Sequence, residues 1–394
     1  MTDRRHATSG PAPARRDALK LLGVAAASAA LLSPLRAFGQ AWPSKPIKII
    51  VPFAPGGTTD LIARLIGTPM AQTLGQPVIV ENRPGVGGLL GVEATAKAPS
   101  DGYTLVMANI SLPFAILTAQ RAQRLNFDPA TDLRGVSIAA NVPMVITAPA
   151  ASPAKDLREF AALVQRESGS HFVYGSPGVG SYLHVFGEWL QQEIKAPLTH
   201  VPFKGAAPLK QELRVSRHRS SVGLRWPSKR IAALHRLPIR SVLAARCALR
   251  YAPMAARSLR HLIGDATLAG RVHLGGDQLS TSLADIQAGK LRALAIAAEQ
   301  RSALLPSVPT LREQGFGGID IEGWNGLLAP SGTPADILSR LQAAAAGAVR
   351  DPQVQQRLQT LGAEPVGSDA QSLDDLLQQQ RARFLPMVAQ LKLE

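Results

Sequence analysis

Two stretches of the chain combine glycine with hydroxyl side chains in a way that suits an anion. One is Ala54-Pro55-Gly56-Gly57-Thr58-Thr59-Asp60; the other is Gly175-Ser176-Pro177-Gly178-Val179-Gly180-Ser181. Each follows a short β-rich run and opens a stretch of helical spacing. A helix that starts after a glycine turn presents unpaired backbone N–H groups and a partial positive charge, which attract a phosphate or a carboxylate. Glycine lets the backbone approach the ligand, and Thr58, Thr59, Ser176 and Ser181 add hydroxyl donors. Taken singly, either loop is more economically read as a steric turn after a strand. Neither is a nucleotide loop: G-x-x-x-x-G-K-[ST] is absent, and no G-x-G-x-x-G follows a strand with an acidic residue downstream.

Catalytic constellations are sparse. His6 lies near the N-terminus, and His218, His235 and His261 fall in a basic tract, which leaves His171, His184, His200 and His273. None has H-E-x-x-H spacing, and no G-x-S-x-G nucleophile elbow occurs. Ser181 and His184 are close enough in sequence to meet, but helix capping explains them more cheaply. Lys204 could pair with an acidic ligand or stand solvated in a turn. Trp324 reads as core or hinge packing. The single cysteine, Cys247, excludes intramolecular disulfides and Cys-based zinc sites, and no metal or cofactor is expected.

These residues need elements to hold them. Ile47 to Val51 reads as a strand, and Thr58 or Asp60 as the cap of a helix carrying Leu61, Leu65, Ile66, Met70 and Leu74, stopped by Gly75. Pro77 to Val80 and Tyr103 to Met107 continue a βαβ rhythm. The middle of the chain repeats it: strand Phe172 to Tyr174, the second loop, a helix with Leu183, Phe186, Leu190 and Ile194 on one face, then strand Leu198 to Phe203. Leu291 to Ala298 reads as a strand, and Pro334 to Val349 and Ser372 to Leu391 as helices. The class is α/β, most simply two parallel-sheet domains.

The 394 residues suffice for two or three domains, and 46% hydrophobic with 18% charged residues excludes wholesale disorder. The formal charge of +15 is concentrated: Arg214 to Ile263 holds twelve Lys or Arg and no Asp or Glu, and residues 1–41 hold six basic and two acidic residues. The other 303 positions carry 25 basic and 26 acidic residues, so no nucleic-acid partner is expected. Residues 1–41 have the parts of an export signal: Arg15-Arg16 before an apolar run, Leu21 to Leu32, then small residues at Ala37, Gly39 and Ala41. That run is shorter than the roughly 20 residues a membrane span needs. The arginine pair resembles a twin-arginine signal, and the expected destination is the periplasm.

Several segments in order carry a family resemblance. Val51-Pro52-Phe53-Ala54-Pro55-Gly56-Gly57-Thr58-Thr59-Asp60 is followed by Val80-Glu81-Asn82-Arg83-Pro84-Gly85-Val86-Gly87-Gly88 and Ala98-Pro99-Ser100-Asp101-Gly102-Tyr103-Thr104-Leu105. Tyr174-Gly175-Ser176-Pro177-Gly178, His200-Val201-Pro202-Phe203-Lys204-Gly205, Ala288-Gly289-Lys290-Leu291-Arg292-Ala293-Leu294 and Leu328-Ala329-Pro330-Ser331-Gly332-Thr333-Pro334 come later. Together they resemble the Bug family of periplasmic solute-binding proteins, receptors of tripartite tricarboxylate transporters. The resemblance implies a two-domain type II periplasmic-binding-protein (Venus flytrap) architecture with a hinge. Its domains would be 42–143 with 297–394, and 144–296. It also implies that the two glycine loops face each other and bind a small carboxylate through amides, hydroxyls and bridging waters, with Asp277 near the cleft. The candidate ligand-binding set is Phe53, Ala54, Pro55, Gly56, Gly57, Thr58, Thr59, Asp60, Gly175, Ser176, Gly178, Gly180, Ser181, His184, Lys204 and Asp277. The partners implied are the carboxylate and the membrane subunits of the transporter, with the receptor a monomer and not an enzyme. A sensory receptor for a membrane signalling partner would use the same site.

The chain departs from that pattern at 214–263. A functional basic arm and an out-of-frame stretch of GC-rich coding sequence are the two readings, and the acid-poor, Arg/Ala-rich composition favours the second. The tract is expected to project from the second domain as loosely held helix and coil and to add nothing to the site. Further on, His273 stands where the family has an Asp, and Gly275-Gly276 where it has bulky strand residues.

Overall fold

The structure, a computed structural model, describes residues 42–122, 125, 127–167, 172–216, 272–391 and 393. The export signal expected at 1–41 and the basic tract beyond residue 216 lie outside these residues, as does His171. No described helix is long and apolar enough to cross a membrane.

The first elements are β1 (Ile47–Val51), α1 (Thr58–Leu74), β2 (Val78–Asn82), α2 (Leu89–Ala96), β3 (Thr104–Asn109), α3 (Ser111–Arg121), α4 (Pro129–Asp132) and β4 (Leu133–Asn141). The middle comprises β5 (Met144–Pro149), α5 (Leu157–Arg166), β6 (Val173–Ser176), α6 (Tyr182–Ile194), β7 (Thr199–Pro202), α7 (Ala206–Val215), β8 (Gly275–Gln278), α8 (Leu279–Gln287) and β9 (Leu291–Ala297). The chain closes with β10 (Trp324–Pro330), α9 (Ala335–Arg350), α10 (Pro352–Thr360), β11 (Glu364–Pro365) and α11 (Ala370–Gln390).

One lobe is built on a six-stranded sheet in the order β11-β4-β10-β3-β1-β2. The other holds β8-β5-β9 and the pair β6-β7, joined by a bridge between Tyr174 and Leu274. The sheets are mixed, which corrects the expectation of two parallel ones. β1 runs parallel to β2 and β3, and β6 to β7, whereas β10 is antiparallel to β3 and β4, and β5 to β8 and β9. Local βαβ spacing fixes the parallel pairs. It says nothing about a late strand that inserts in reverse between two early ones.

α1 also differs from expectation. Its buried stripe is Ile62, Ile66, Met70 and Leu74, while Leu61 is 36% exposed. The helix starts after Gly57 with no side-chain cap, so neither Thr58 nor Asp60 caps it, and it ends at Gly75 in the left-handed conformation (φ 70°). Leu183, Phe186, Leu190 and Ile194 of α6 are all buried, as their spacing predicts. The core includes Phe114 of α3 against Phe384 of α11 and Tyr182 of α6, with ring centroids 4.7 and 5.6 Å away.

Arg214 and Val215, the first residues of the atypical tract, belong to the last turn of α7. Lys210 and Arg214 lie 3.4 and 3.7 Å from the Asp285 carboxylate, which ties α7 to α8. Where the described chain stops and resumes, Val272 N–H donates to Ser216 Oγ at 3.2 Å. The two ends therefore already stand side by side. Replacing 217–271 by a short Gly-Ser turn is expected to leave the protein folded and raise its melting temperature by several degrees, because closing a shorter loop costs roughly 2–3 kcal/mol less. Loss of a cooperative melt in the deletion would show that the tract is integral to the fold.

Candidate functional site

The loop before α1 and the end of β8 frame a small cavity lined by Phe53, Gly57, Thr58, Thr59, Asn109, Ile110, Ser111, Met144, Pro177, Leu183, Ala206, Asp277 and Gln278. Its solvent space is about 20 Å³, room for a single water as the lining side chains stand, so an organic acid must displace some of them. Among the described residues no Lys, Arg or His lines the cavity, so the positive potential there comes from backbone amides. The first-turn N–H groups of the 17-residue α1 are one source, and Ser111 and Ala206, which open two other helices, also line the cavity.

Five of the sequence-predicted residues line this cavity: Phe53, Gly57, Thr58, Thr59 and Asp277. The others stand behind or beside it. Asp60 accepts from Gly56 N–H at 3.0 Å and from Asn82 Nδ2 at 2.9 Å, and pairs with Arg64 at 2.9 Å. Burial alone would raise its carboxyl, but the bonds from Arg64, Gly56 and Asn82 outweigh it and hold the group below its ordinary value. Asp60 thus braces the loop and is not among the residues that line the cavity. Pro55 and Gly56 are exposed, and Ala54 donates its N–H to the Lys204 carbonyl at 3.2 Å. The Lys204 side chain is exposed and not part of the lining.

The second loop turns its polar atoms inward. Gly175 and Ser176 belong to β6 rather than to the turn. Ser176 Oγ lies 2.7 Å from His200 Nε2 and accepts from Gly178 N–H at 3.2 Å. Ser181 caps α6, its Oγ accepting from His184 N–H at 3.4 Å. His184 Nδ1 accepts from Gly180 N–H at 3.0 Å, and its ring stacks on His200 with centroids 4.2 Å apart. Tyr174 stacks on the far side of His200 at 4.8 Å and donates to Glu188 at 2.6 Å. His184 therefore braces the loop and is not among the residues that line the cavity. Burial pushes His184 down to about 4, and burial with the neighbouring His184 pushes His200 down to about 3.

The sequence reading missed the polar network that backs the cavity. Asn325 is fully buried; its Nδ2 donates to Gln278 Oε1 at 3.1 Å, and its Oδ1 accepts from Thr59 Oγ1 at 3.0 Å. Asn109 Nδ2 donates to the same Thr59 oxygen at 2.8 Å, and Thr58 Oγ1 meets Ser280 Oγ of α8 at 2.5 Å. Asn109 ends β3 and Asn325 sits in β10, paired across the sheet. No loop signature marks either position. Asp277 is the one acid of the lining: burial raises it to about 6, against hydrogen bonds from Thr281 and the Gln278 N–H and the charge of Lys210.

Two outcomes follow. Thr59→Val strips Asn325 Oδ1 of its donor and is expected to cost about 1–3 kcal/mol in a denaturant melt; an unchanged melt would remove Thr59 from the network. His184 and His200 stay neutral in the fold while an unfolded histidine takes its proton near 6.5. Stability is therefore expected to fall as pH drops from 6.5 toward 4, by up to about 1.4 kcal/mol per pH unit for each histidine. Asp277, raised to about 6, acts in the opposite direction, but it is one group against two. Melts of the wild type and of a His184→Gln/His200→Gln variant between pH 7 and 4.5 check this; equal slopes would acquit the pair.

Known proteins resemble this chain in sequence and fold. A family model described as "Tripartite tricarboxylate transporter family receptor" matches residues 62–230 and 261–393, so the break in the match, 231–260, falls inside the basic tract. BugT of Bordetella pertussis (strain Tohama I) is 28% identical over 350 residues, 88% of this chain and 89% of that protein. The solved structure of a periplasmic transporter is 33% identical with a TM-score of 0.72, covering 90% of this chain and 100% of the other. MatC from Rhodopseudomonas palustris with bound malate is 30% identical with a TM-score of 0.70, covering 88% and 100%. The fold is the two-lobed periplasmic-binding-protein fold, and the chain belongs to the Bug family of tripartite tricarboxylate transporter receptors.

Proposed function

We propose that this receptor captures a small carboxylate in the cavity between α1 and β8, in the periplasm, and hands it to the membrane subunits of a tripartite tricarboxylate transporter. The observation that carries the reading is the cavity itself. Its one wall is a glycine turn opening a long helix, rich in Thr58 and Thr59 hydroxyls, and its other wall belongs to the second lobe. The malate in the related structure is a ligand of that chemistry. Export would rest on residues 1–41, and the receptor would act as a monomer whose lobes are 42–143 with 297–394, and 144–296.

The reading is of binding without turnover. Ser181 and His184, the nearest thing to a nucleophile and base, are committed to capping α6 and holding Gly180. Asp277 gives the site its selectivity. An anionic side chain in the wall repels a plain carboxylate and favours a ligand that brings a hydroxyl or ammonium donor. A 2-hydroxy or 2-amino dicarboxylate has both halves of that chemistry.

Thermal-shift and calorimetric titrations with L-malate, L-aspartate, succinate, citrate and nicotinate test this. We expect malate or aspartate to bind about tenfold or more tightly than succinate at pH 7.5, and Asp277→Asn to narrow that gap. With the donor bonded to the ionised carboxylate, malate affinity should decline as pH falls through about 6 in the wild type and not in Asp277→Asn. A folded protein that binds none of these acids would refute the receptor reading.

A further inference from the structure

Outside the cavity, the lobes meet through bare main chain. Gly87, in the turn between β2 and α2, abuts the loop that precedes α6. A Cβ on Gly87 would stand 2.3 Å from the Val179 carbonyl oxygen and 3.3 Å from the Ser181 nitrogen. From the opposite lobe, a Cβ on Gly178 would stand 3.1 Å from the Gly87 nitrogen and 3.2 Å from its Cα. Both obstacles are backbone, which cannot swing aside as a side chain can. Two bonds flank this contact: Tyr182 N–H donates to Ser111 Oγ at 3.3 Å, and Ala54 N–H to Lys204 O at 3.2 Å.

The turn is shaped for this approach. Gly85, Val86, Gly87 and Gly88 are four successive residues with φ of 147°, 48°, 61° and 104°. Val86 is β-branched and adopts a positive φ only at a cost, so the surrounding structure must hold it there. Neither Gly87, Gly178 nor Val179 lines the cavity.

We infer that Gly87 and Gly178 form a closure seam that sets ligand affinity from outside the binding cavity. A two-lobed receptor binds through its closed arrangement, and its apparent affinity scales with the fraction of molecules able to close. Any side chain at the seam collides in the closed arrangement and is relieved when the lobes part, so it acts on the equilibrium and not on the ligand. Small residues here let two loops from different lobes reach backbone contact, which seals the mouth. This inference rests on the carboxylate-receptor reading, since that reading supplies the ligand.

The test compares Gly87→Ala and Gly178→Ala with a control. Gly75 also has a positive φ, 70°, close to the 61° of Gly87, but nothing lies within 4 Å of its Cβ position, so Gly75→Ala carries backbone strain comparable with that of Gly87→Ala without an obstacle. L-malate is titrated calorimetrically into each protein, and small-angle scattering is recorded with and without millimolar malate. We expect Gly87→Ala to weaken malate about tenfold or more and to resist the compaction that malate gives the wild type. Gly178→Ala should shift both in the same direction, and Gly75→Ala should do neither. Wild-type affinity in Gly87→Ala, or equal losses in all three variants, would overturn the seam. If Gly87→Ala does not fold, Gly178→Ala decides on the same criteria. A wild type that fails to bind malate counts against the ligand reading instead; the scattering of unliganded Gly87→Ala then decides alone, a larger radius supporting the seam and an identical curve overturning it.

Discussion

Asn325 is an amide with no access to water, and the cleft is organised around keeping it bonded. An unmet amide group in such a place costs about 1–3 kcal/mol. Its two ends are met by side chains of different lobes: Thr59 at the head of α1, and Gln278 at the end of β8. Gln278 in turn donates to the Trp324 carbonyl at 3.4 Å, and the Trp324 ring is anchored through Nε1 to Gln380 of α11 at 2.9 Å. One strand from late in the chain therefore fixes where the first helix begins and where the second lobe returns. The ligand wall inherits its geometry from that point.

The two glycine loops are braced alike from behind. In each, a loop amide donates to a side chain four residues on, already inside the following helix: Gly56 to Asp60, and Gly180 to His184. The chemistry differs with the surroundings. Asp60 can stay ionised because Arg64 and Asn82 meet its oxygens. His184 lies in an apolar stack with His200 and Tyr174, where only the neutral ring is tolerated. Either brace removes one amide from the pool open to a ligand and stiffens those that remain.

Much of the local structure was legible because it is governed by local rules. The stop at Gly75 needs a left-handed residue, and the α6 stripe needs only helical spacing. The glycine loops were legible as loops, but not the direction in which their side chains turn. A Ser, His or Asp beside a glycine turn looks the same in sequence whether it faces the ligand or the helix behind. Asp60, Ser176, Ser181 and His184 all face inward, each answering a nearby unpaired group. Asn109, Gln278 and Asn325 were illegible for the converse reason. They become neighbours only through the pairing of β10 with β3 and the approach of β8, contacts between residues far apart in the chain.

A cavity with no basic side chain constrains how such a receptor can work. Lys or Arg in the wall would hold a carboxylate on one lobe by itself, leaving little incentive to close. Backbone dipoles and hydroxyls are weaker partners and must be gathered from several elements to match one charge. Thr58 and Thr59 come from one lobe, Gln278 and Asp277 from the other. In the proposed site neither half would suffice, so affinity would depend on bringing the halves together, and any group that limits their approach would act on binding as directly as a ligand contact. That places Gly87 and Gly178 in the same functional category as Thr59, although no atom of theirs borders the cavity. Glycine in these loops thus answers two demands that a sequence cannot separate: exposing amides to an anion, and letting two backbones touch.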